Sequence, residues 1–208
     1  MSPFPNDPYC YPGTDVLINL GDYRTQTELN KFEADAVFLA IAALQSCPIQ
    51  GPFDTRRLQE THRRIFGNVY PWAGELRKGI GMMAKTRPSG FVVAYGPSEN
   101  VPGALASTFA ALRAEGCLQA VDADALPGRL AYYYSELDAI HAFREGNSRT
   151  LRAFTSDLAQ SLGFRLDWAS VAQTAEQREA LYGARDLAVM RGETSALASI
   201  FNNALREA

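Results

Sequence analysis

Histidine is almost missing from this chain: two residues in 208, His62 and His141. General-base chemistry near neutral pH therefore has few candidate bases. Cysteine is scarce as well, with Cys10, Cys47 and Cys117 far apart and no CxxC spacing. That pattern excludes a disulfide framework and a thiolate metal centre. It fits reduced thiols in the cytoplasm, each a small buried side chain. No long run of one charge sign occurs, and 20 basic against 23 acidic residues leave a net charge of −3. Direct binding to nucleic acid or to an anionic membrane is thereby disfavoured, because it needs a concentrated basic face. A local anion site stays open, since a few arginines suffice for one. No apolar run approaches the length of a membrane span. The opening MSPFPNDPYCYPG lacks the basic region and apolar core of a signal peptide.

What is present is apolar. At 47% hydrophobic, the chain can bury one sizeable core. Residues 1–24 carry Pro3, Pro5, Pro8, Pro12 and Gly13, so they read as an irregular arm that Tyr9, Tyr11 and Leu17 can pin to the rest. Residues 25–208 read as a single domain. TQTELNKFEADAVFLAIAAL predicts a long helix with Leu29, Phe32, Ala36, Leu39, Ala40 and Ala43 on its apolar face. TRRLQETHRRIFG predicts a second, with Leu58, His62, Ile65 and Phe66 on one face and Gly67 as its stop. His62 on that face reads as a packed structural residue. Short β-prone pieces around IGMM and GFVVAY flank KTRPSG and predict a β-hairpin. SENVPGALASTFAALRAEG, PGRLAYYYSELDAIHAF, RTLRAFTSDLAQSLGF and about two later segments read as helices. The expected fold class is all-α, a helical bundle with one small β-hairpin.

The densest polar stretch is HAFREGNSRTLR, residues 141–152. His141 ends an apolar helix and opens a polar loop that leads into another helix, a position on the rim of a cleft. Gly146 permits positive φ and close approach of a ligand to backbone. Asn147 can cap the next helix or offer its amide to an anion. The first N–H groups of that helix, near Ser148 to Thr150, lack intrahelical partners and suit a phosphate. Arg149 and Arg152 share a helix face, and arginine matches phosphate with two parallel hydrogen bonds. Glu145 is acidic where everything else favours anions, which suits a Mg²⁺ ligand that works together with nucleotide phosphates. The implied chemistry is transfer of a phosphate-containing group with His141 as base. The residues alone leave a second reading open: an exposed turn with a capping asparagine and salt-bridged arginines.

The same window resembles the signature of the Fic family of protein AMPylases, H-x-F-x-[D/E]-G-N-G-R-x-x-R. His141, Phe143, Glu145, Gly146, Asn147, Arg149 and Arg152 match it, Ser148 stands in place of a glycine, and Ala142 replaces a common proline. THRRIFGNVYPWAGELR is similar to the family's stretch that ends in W-A-G-x-x-R, and LDW with the late ETSALASIF is similar to the C-terminal helices of Fic toxins. The resemblance implies the Fic fold, with the hairpin as a flap that holds a target segment by strand addition. It implies that His141 activates a target hydroxyl and that Phe143 anchors the loop. Glu145 would hold Mg²⁺ on ATP, and Gly146, Asn147 and Ser148 would form the anion hole. Arg149 would contact phosphate and Arg152 the γ-phosphate. Lys85 and the strand Phe91, Val92, Val93 and Ala94 are the flap candidates. AMP would pass to a Ser, Thr or Tyr hydroxyl with release of pyrophosphate.

Many Fic proteins carry an inhibitory [S/T]-x-x-x-E-[G/N] helix, and no Ser or Thr here has a glutamate four residues on. The resemblance then implies a separate small antitoxin whose glutamate reaches Arg152, as in bacterial toxin–antitoxin modules. Type II topoisomerases, DNA gyrase and topoisomerase IV, are the targets it implies. Two other readings compete with the AMPylase. One is a Fic enzyme that transfers UMP, phosphate or phosphocholine. The other is a degenerate scaffold that only binds nucleotide or a partner.

Overall fold

In the first helix, α1 (Gln26–Ser46), the Thr25 side chain caps the start by accepting from the Glu28 N–H. The structure, a computed structural model, describes residues 7–86 and 92–208. Asp54 caps α2 (Thr55–Phe66) in the same way, and the face read from the sequence, Leu58, His62, Ile65 and Phe66, is buried. Gly67 does stop the helix, but with φ −62°, in the right-handed region. Its hydrogen serves close packing instead, because a Cβ there would lie 2.6 Å from the Arg63 carbonyl oxygen. The hairpin follows as β1 (Met83–Thr86) and β2 (Val92–Tyr95), antiparallel with Met83 opposite Tyr95 and Lys85 opposite Val93. Phe91 lies outside the described residues. Then come α3 (Val101–Ala114), α4 (Leu126–Ile140), α5 (Asn147–Ser161), β3 (Phe164–Leu166), α6 (Ala175–Arg191), α7 (Ser195–Ala204) and β4 (Leu205–Glu207).

Two apolar clusters hold these elements. One gathers Phe109 of α3, Tyr134 of α4, Phe154 of α5, Leu181 of α6 and Phe201 of α7 around Phe143. The other joins Tyr9, Tyr11 and Leu17 of the arm to Leu29 and Val37 of α1, Phe66, Trp72 and the hairpin residues Val93 and Tyr95. The arm is therefore pinned as expected. It also reaches the polar loop, since Asp7 pairs with Arg144 at 2.7 Å with both side chains largely buried. The loop from His141 to Gly146 lies at the seam between the clusters: the Phe143 ring stacks on His62 at 3.9 Å.

The sequence reading is corrected in three places. The buried face of α1 runs through Leu29 and Val37, and Leu39 is 68% exposed. From Val37 to Leu44 this helix is apolar on nearly every side, so periodicity could not choose the face; packing against α2 does. A second two-stranded sheet pairs β3 with β4, Phe164 opposite Glu207 and Leu166 opposite Leu205. Of the cysteines, Cys10 is buried, but Cys47 is exposed and Cys117 intermediate, and all three are free thiols.

Candidate active site

α4 ends at His141 in the left-handed conformation (φ 50°, ψ 60°), and its N–H still bonds the Leu137 carbonyl. That twist turns the chain out of the helix and leaves the imidazole packed inside the protein, 1% exposed. The Tyr95 ring of β2 lies over it at 3.8 Å with the planes 19° apart. Among the described residues, neither ring nitrogen has a hydrogen-bond partner. Burial pushes the His141 pKa well below its usual value, and the positive charges of Lys85, Arg77 and Arg185 push the same way. The ring is thus held in its neutral form, which keeps one nitrogen lone pair able to accept a proton.

Gly146 caps α5 at φ 80° and has no side chain to compete for the helix N–H groups. A Cβ there would lie 2.4 Å from the Phe66 ring, so glycine is required for both reasons. The N–H groups of Asn147, Ser148 and Arg149 open the helix with no carbonyl behind them, which leaves a donor cluster at the positive end of the α5 dipole. The Asn147 side chain does not join this cluster. Its Oδ1 accepts from the Phe143 N–H at 2.9 Å and its Nδ2 donates to the Phe143 carbonyl at 2.7 Å. The amide expected at the anion is spent bracing the loop, so Asn147 contributes its backbone alone.

Ser148 points toward α6. Its hydroxyl accepts from Arg152 Nη2 at 3.3 Å and from Arg185 Nη1 at 3.2 Å. Arg185 in turn donates two parallel bonds to the buried Asp138 carboxylate, at 3.0 and 2.9 Å. The extra Cβ therefore stands clear of the donor cluster and serves a link between α5, α6 and α4. Arg149 donates to Glu33 of α1 at 2.6 Å and lies 3.6 Å from Glu145. Tyr70 donates to the other oxygen of Glu33. A phosphate at Arg149 must compete with these carboxylates. The Glu145 carboxylate accepts from the Gly146 N–H at 2.9 Å and is partly exposed beside the helix N-terminus. It is a hard oxygen donor of the kind that Mg²⁺ takes. Among the described residues no group of three or more His, Cys, Asp or Glu gathers to cage a metal, so an ion at Glu145 would be completed by phosphate oxygens and water.

The hairpin splits the flap residues by the pleat. Lys85 and Val93 stand on the inner face with Met83 and Tyr95, while Val92 and Ala94 face outward. Each strand of this two-stranded ladder has one edge without a partner in the sheet. His62 is the structural residue it was read to be. Its Nδ1 accepts from the Gly74 N–H at 2.8 Å, which fixes the proton on Nε2 for donation to the Glu145 carbonyl at 3.0 Å. Burial lowers its pKa to about 4. Glu33, Tyr95, Asp138 and Arg185 were not foreseen. Glu33, Tyr95 and Arg185 come from elements remote in sequence, and Asp138, three residues before His141, has no local motif that pairs it with Arg185. Arg77 was visible only as the last letter of W-A-G-x-x-R.

The Fic/DOC family profile matches residues 52–159, from just before α2 to the end of α5. The chain is 34% identical over 185 residues to "Protein adenylyltransferase VbhT" of Bartonella schoenbuchensis, covering 88% of this chain and 37% of that protein. It is 30% identical over 202 residues to "Probable protein adenylyltransferase Fic" of Escherichia coli K12, covering 97% and 94%. Among solved structures, BepC of Bartonella tribocorum with bound AMPPNP superposes with a TM-score of 0.82, at 19% identity over 97% of each chain. That last likeness is one of fold.

Proposed function

The chain belongs to the Fic/DOC family, and from that premise we propose that it is a protein adenylyltransferase that moves AMP from ATP to a hydroxyl of a target protein. The observation that carries the reading is a neutral, buried His141 on the loop that presents the arginine-flanked N-terminus of α5. His141 takes the proton of a Ser, Thr or Tyr hydroxyl as that oxygen attacks the α-phosphorus. The new P–O bond forms, the bond to the β-phosphate breaks, and pyrophosphate leaves. The N–H groups of Asn147, Ser148 and Arg149 hold the phosphate oxygens, as oxyanion donors do. Arg149 and Arg152 balance the charge that builds on the leaving group. Glu145 would hold Mg²⁺, which would neutralise phosphate charge. The relatives' names and the AMPPNP bound to BepC favour adenosine nucleotides.

The finer reading is a toxin restrained by a separate antitoxin. An apolar cavity of about 280 Å³ runs between Ile41, Leu44 and Pro48 on one side and Arg149, Arg152 and Trp168 on the other. Its apolar wall and its two arginines would suit the apolar face and the glutamate of an [S/T]-x-x-x-E-[G/N] helix directed at Arg152. The open hairpin edge suits capture of a target segment by strand addition. DNA gyrase and topoisomerase IV subunits are the targets to try, on the resemblance alone.

The test is incubation with labelled ATP and Mg²⁺, with UTP and CDP-choline alongside. Label from ATP should appear on a topoisomerase subunit or on the chain itself and vanish in His141→Ala. Equal labelling by His141→Ala, or none by the folded wild type, would sink the adenylyltransferase reading. Label from UTP or CDP-choline alone would move the assignment to another transferred group. ATP binding without transfer would make the chain a scaffold.

A further inference from the structure

Arg77 is 2% exposed in the loop before the hairpin. A guanidinium buried that deeply must have its donors matched, yet among the described residues it has no carboxylate within ion-pair distance. Backbone carbonyls take that place for Nε and Nη2, while Nη1 has no hydrogen-bond partner among the described residues. Nε donates to the His141 carbonyl at 2.7 Å. Nη2 donates to the Gly96 carbonyl at 2.6 Å and more weakly to Ile140 at 3.4 Å. The Arg77 N–H itself donates to the Ala142 carbonyl at 2.9 Å. Three successive carbonyls, of residues 140, 141 and 142, are thus held by one residue.

A plain helix cap would account for the contacts to the end of α4. It would not account for Gly96, which follows Tyr95 at the exit of β2. Tyr95 stacks on the His141 ring, and His141 sits in a left-handed conformation that side-chain-bearing residues resist. The base is therefore fixed from two directions, through its own carbonyl and through the ring above it, and both routes meet in Arg77. Taking His141 as the base, we propose that Arg77 is a positioning residue for it. Its guanidinium ties the catalytic loop to the target-holding hairpin, so that seating a target segment and aligning the base become one event. The other groups that face His141 are Lys85 of β1, Tyr95 of β2, Arg185 of α6 and the Asp138 carbonyl of α4. Arg77 bonds both the loop and the hairpin exit.

The experiment uses the full chain with Arg77→Lys, Arg77→Gln and Arg77→Ala. Lysine keeps the charge but has no fork to reach both segments. At saturating ATP, target labelling should fall at least tenfold in each, while ATP affinity by calorimetry stays within about threefold. Methylguanidine should restore part of the rate in Arg77→Ala alone. With only two histidines in the chain, imidazole NMR reads His141 directly, with His62 as internal reference. The His141 pKa should rise in Arg77→Gln while that of His62 holds. Labelling within threefold of wild type, or a loss that tracks ATP affinity, overturns the proposal. Failure of all three variants to fold also overturns it, since Arg77 would then serve the core first. If wild type transfers nothing, the adenylyltransferase reading fails, while the NMR readout still judges Arg77.

Discussion

Gly146→Ala is the sharpest probe of the helix N-terminus. Two terms add. A left-handed alanine costs about 1–2 kcal/mol, and the native φ is 80°. The new Cβ would also sit 2.4 Å from Cε2 and Cζ of Phe66, a ring at 0% exposure with nowhere to go. Overpacking of that kind costs about 1–3 kcal/mol. The sum, roughly 2–5 kcal/mol, lowers the melting temperature by roughly 4–20 °C in a domain of this size. Gly163 supplies the control, because it has φ 84° but nothing within 4 Å of an added Cβ. Gly163→Ala should show the backbone term alone, so the calorimetric difference between the two variants isolates the clash. If the clash is relieved by lifting α5, its donor N–H groups move, and ATP affinity should fall at least about tenfold in Gly146→Ala only. Equal melting temperatures for the two variants, with ATP binding intact, would refute the reasoning.

Other consequences follow from the same geometry. Ser148→Gly removes an acceptor shared by Arg152 and Arg185 and should cost about 1–2 kcal/mol of stability. With Arg152 released, labelling should stay level or rise modestly; its abolition would show that the hydroxyl is needed. Asp138→Ala strands the buried Arg185 guanidinium and should destabilise by about 3–5 kcal/mol in urea titration; a loss under 1 kcal/mol would contradict the pairing. Burial lowers the pKa of His62 in the folded chain to about 4, against an ordinary histidine value of about 6.5. The unfolded chain therefore binds the proton first, and stability should fall as pH drops from about 6.5 to 4, by up to about 3 kcal/mol. His62→Gln should flatten that slope, and an unchanged slope would assign it to other groups.

The sequence exposed what is contiguous. His141 to Arg152 spans the end of one helix, a loop and the first turns of the next, so the juxtaposition of base, carboxylate and arginines could be read from order alone, while the roles expected of them came from the family resemblance. The β-prone pieces of the hairpin were local too. What escaped depends on packing between distant segments. Arg185 reaches Asp138 across 47 residues, and Arg149 reaches Glu33 across 116. No spacing rule links such pairs. The Asn147 amide could be read as a phosphate donor because the sequence does not show that the Phe143 backbone takes both its polar atoms. β3 and β4 have three residues each, too few for alternation to register.

The burial of His141 beneath Tyr95 bears on what the enzyme does while it waits. A base that touches solvent deprotonates water, and water attacking the α-phosphorus would waste ATP as AMP and pyrophosphate. Here the ring is covered by Tyr95, and among the described residues nothing polar bonds either nitrogen. We expect idle ATP cleavage to be at least about tenfold slower than transfer to a target. Tyr95→Ala should raise it, as read by AMP release without target. A wild-type chain that hydrolyses ATP as fast as it labels its target would show that the lid over the base does not keep water out.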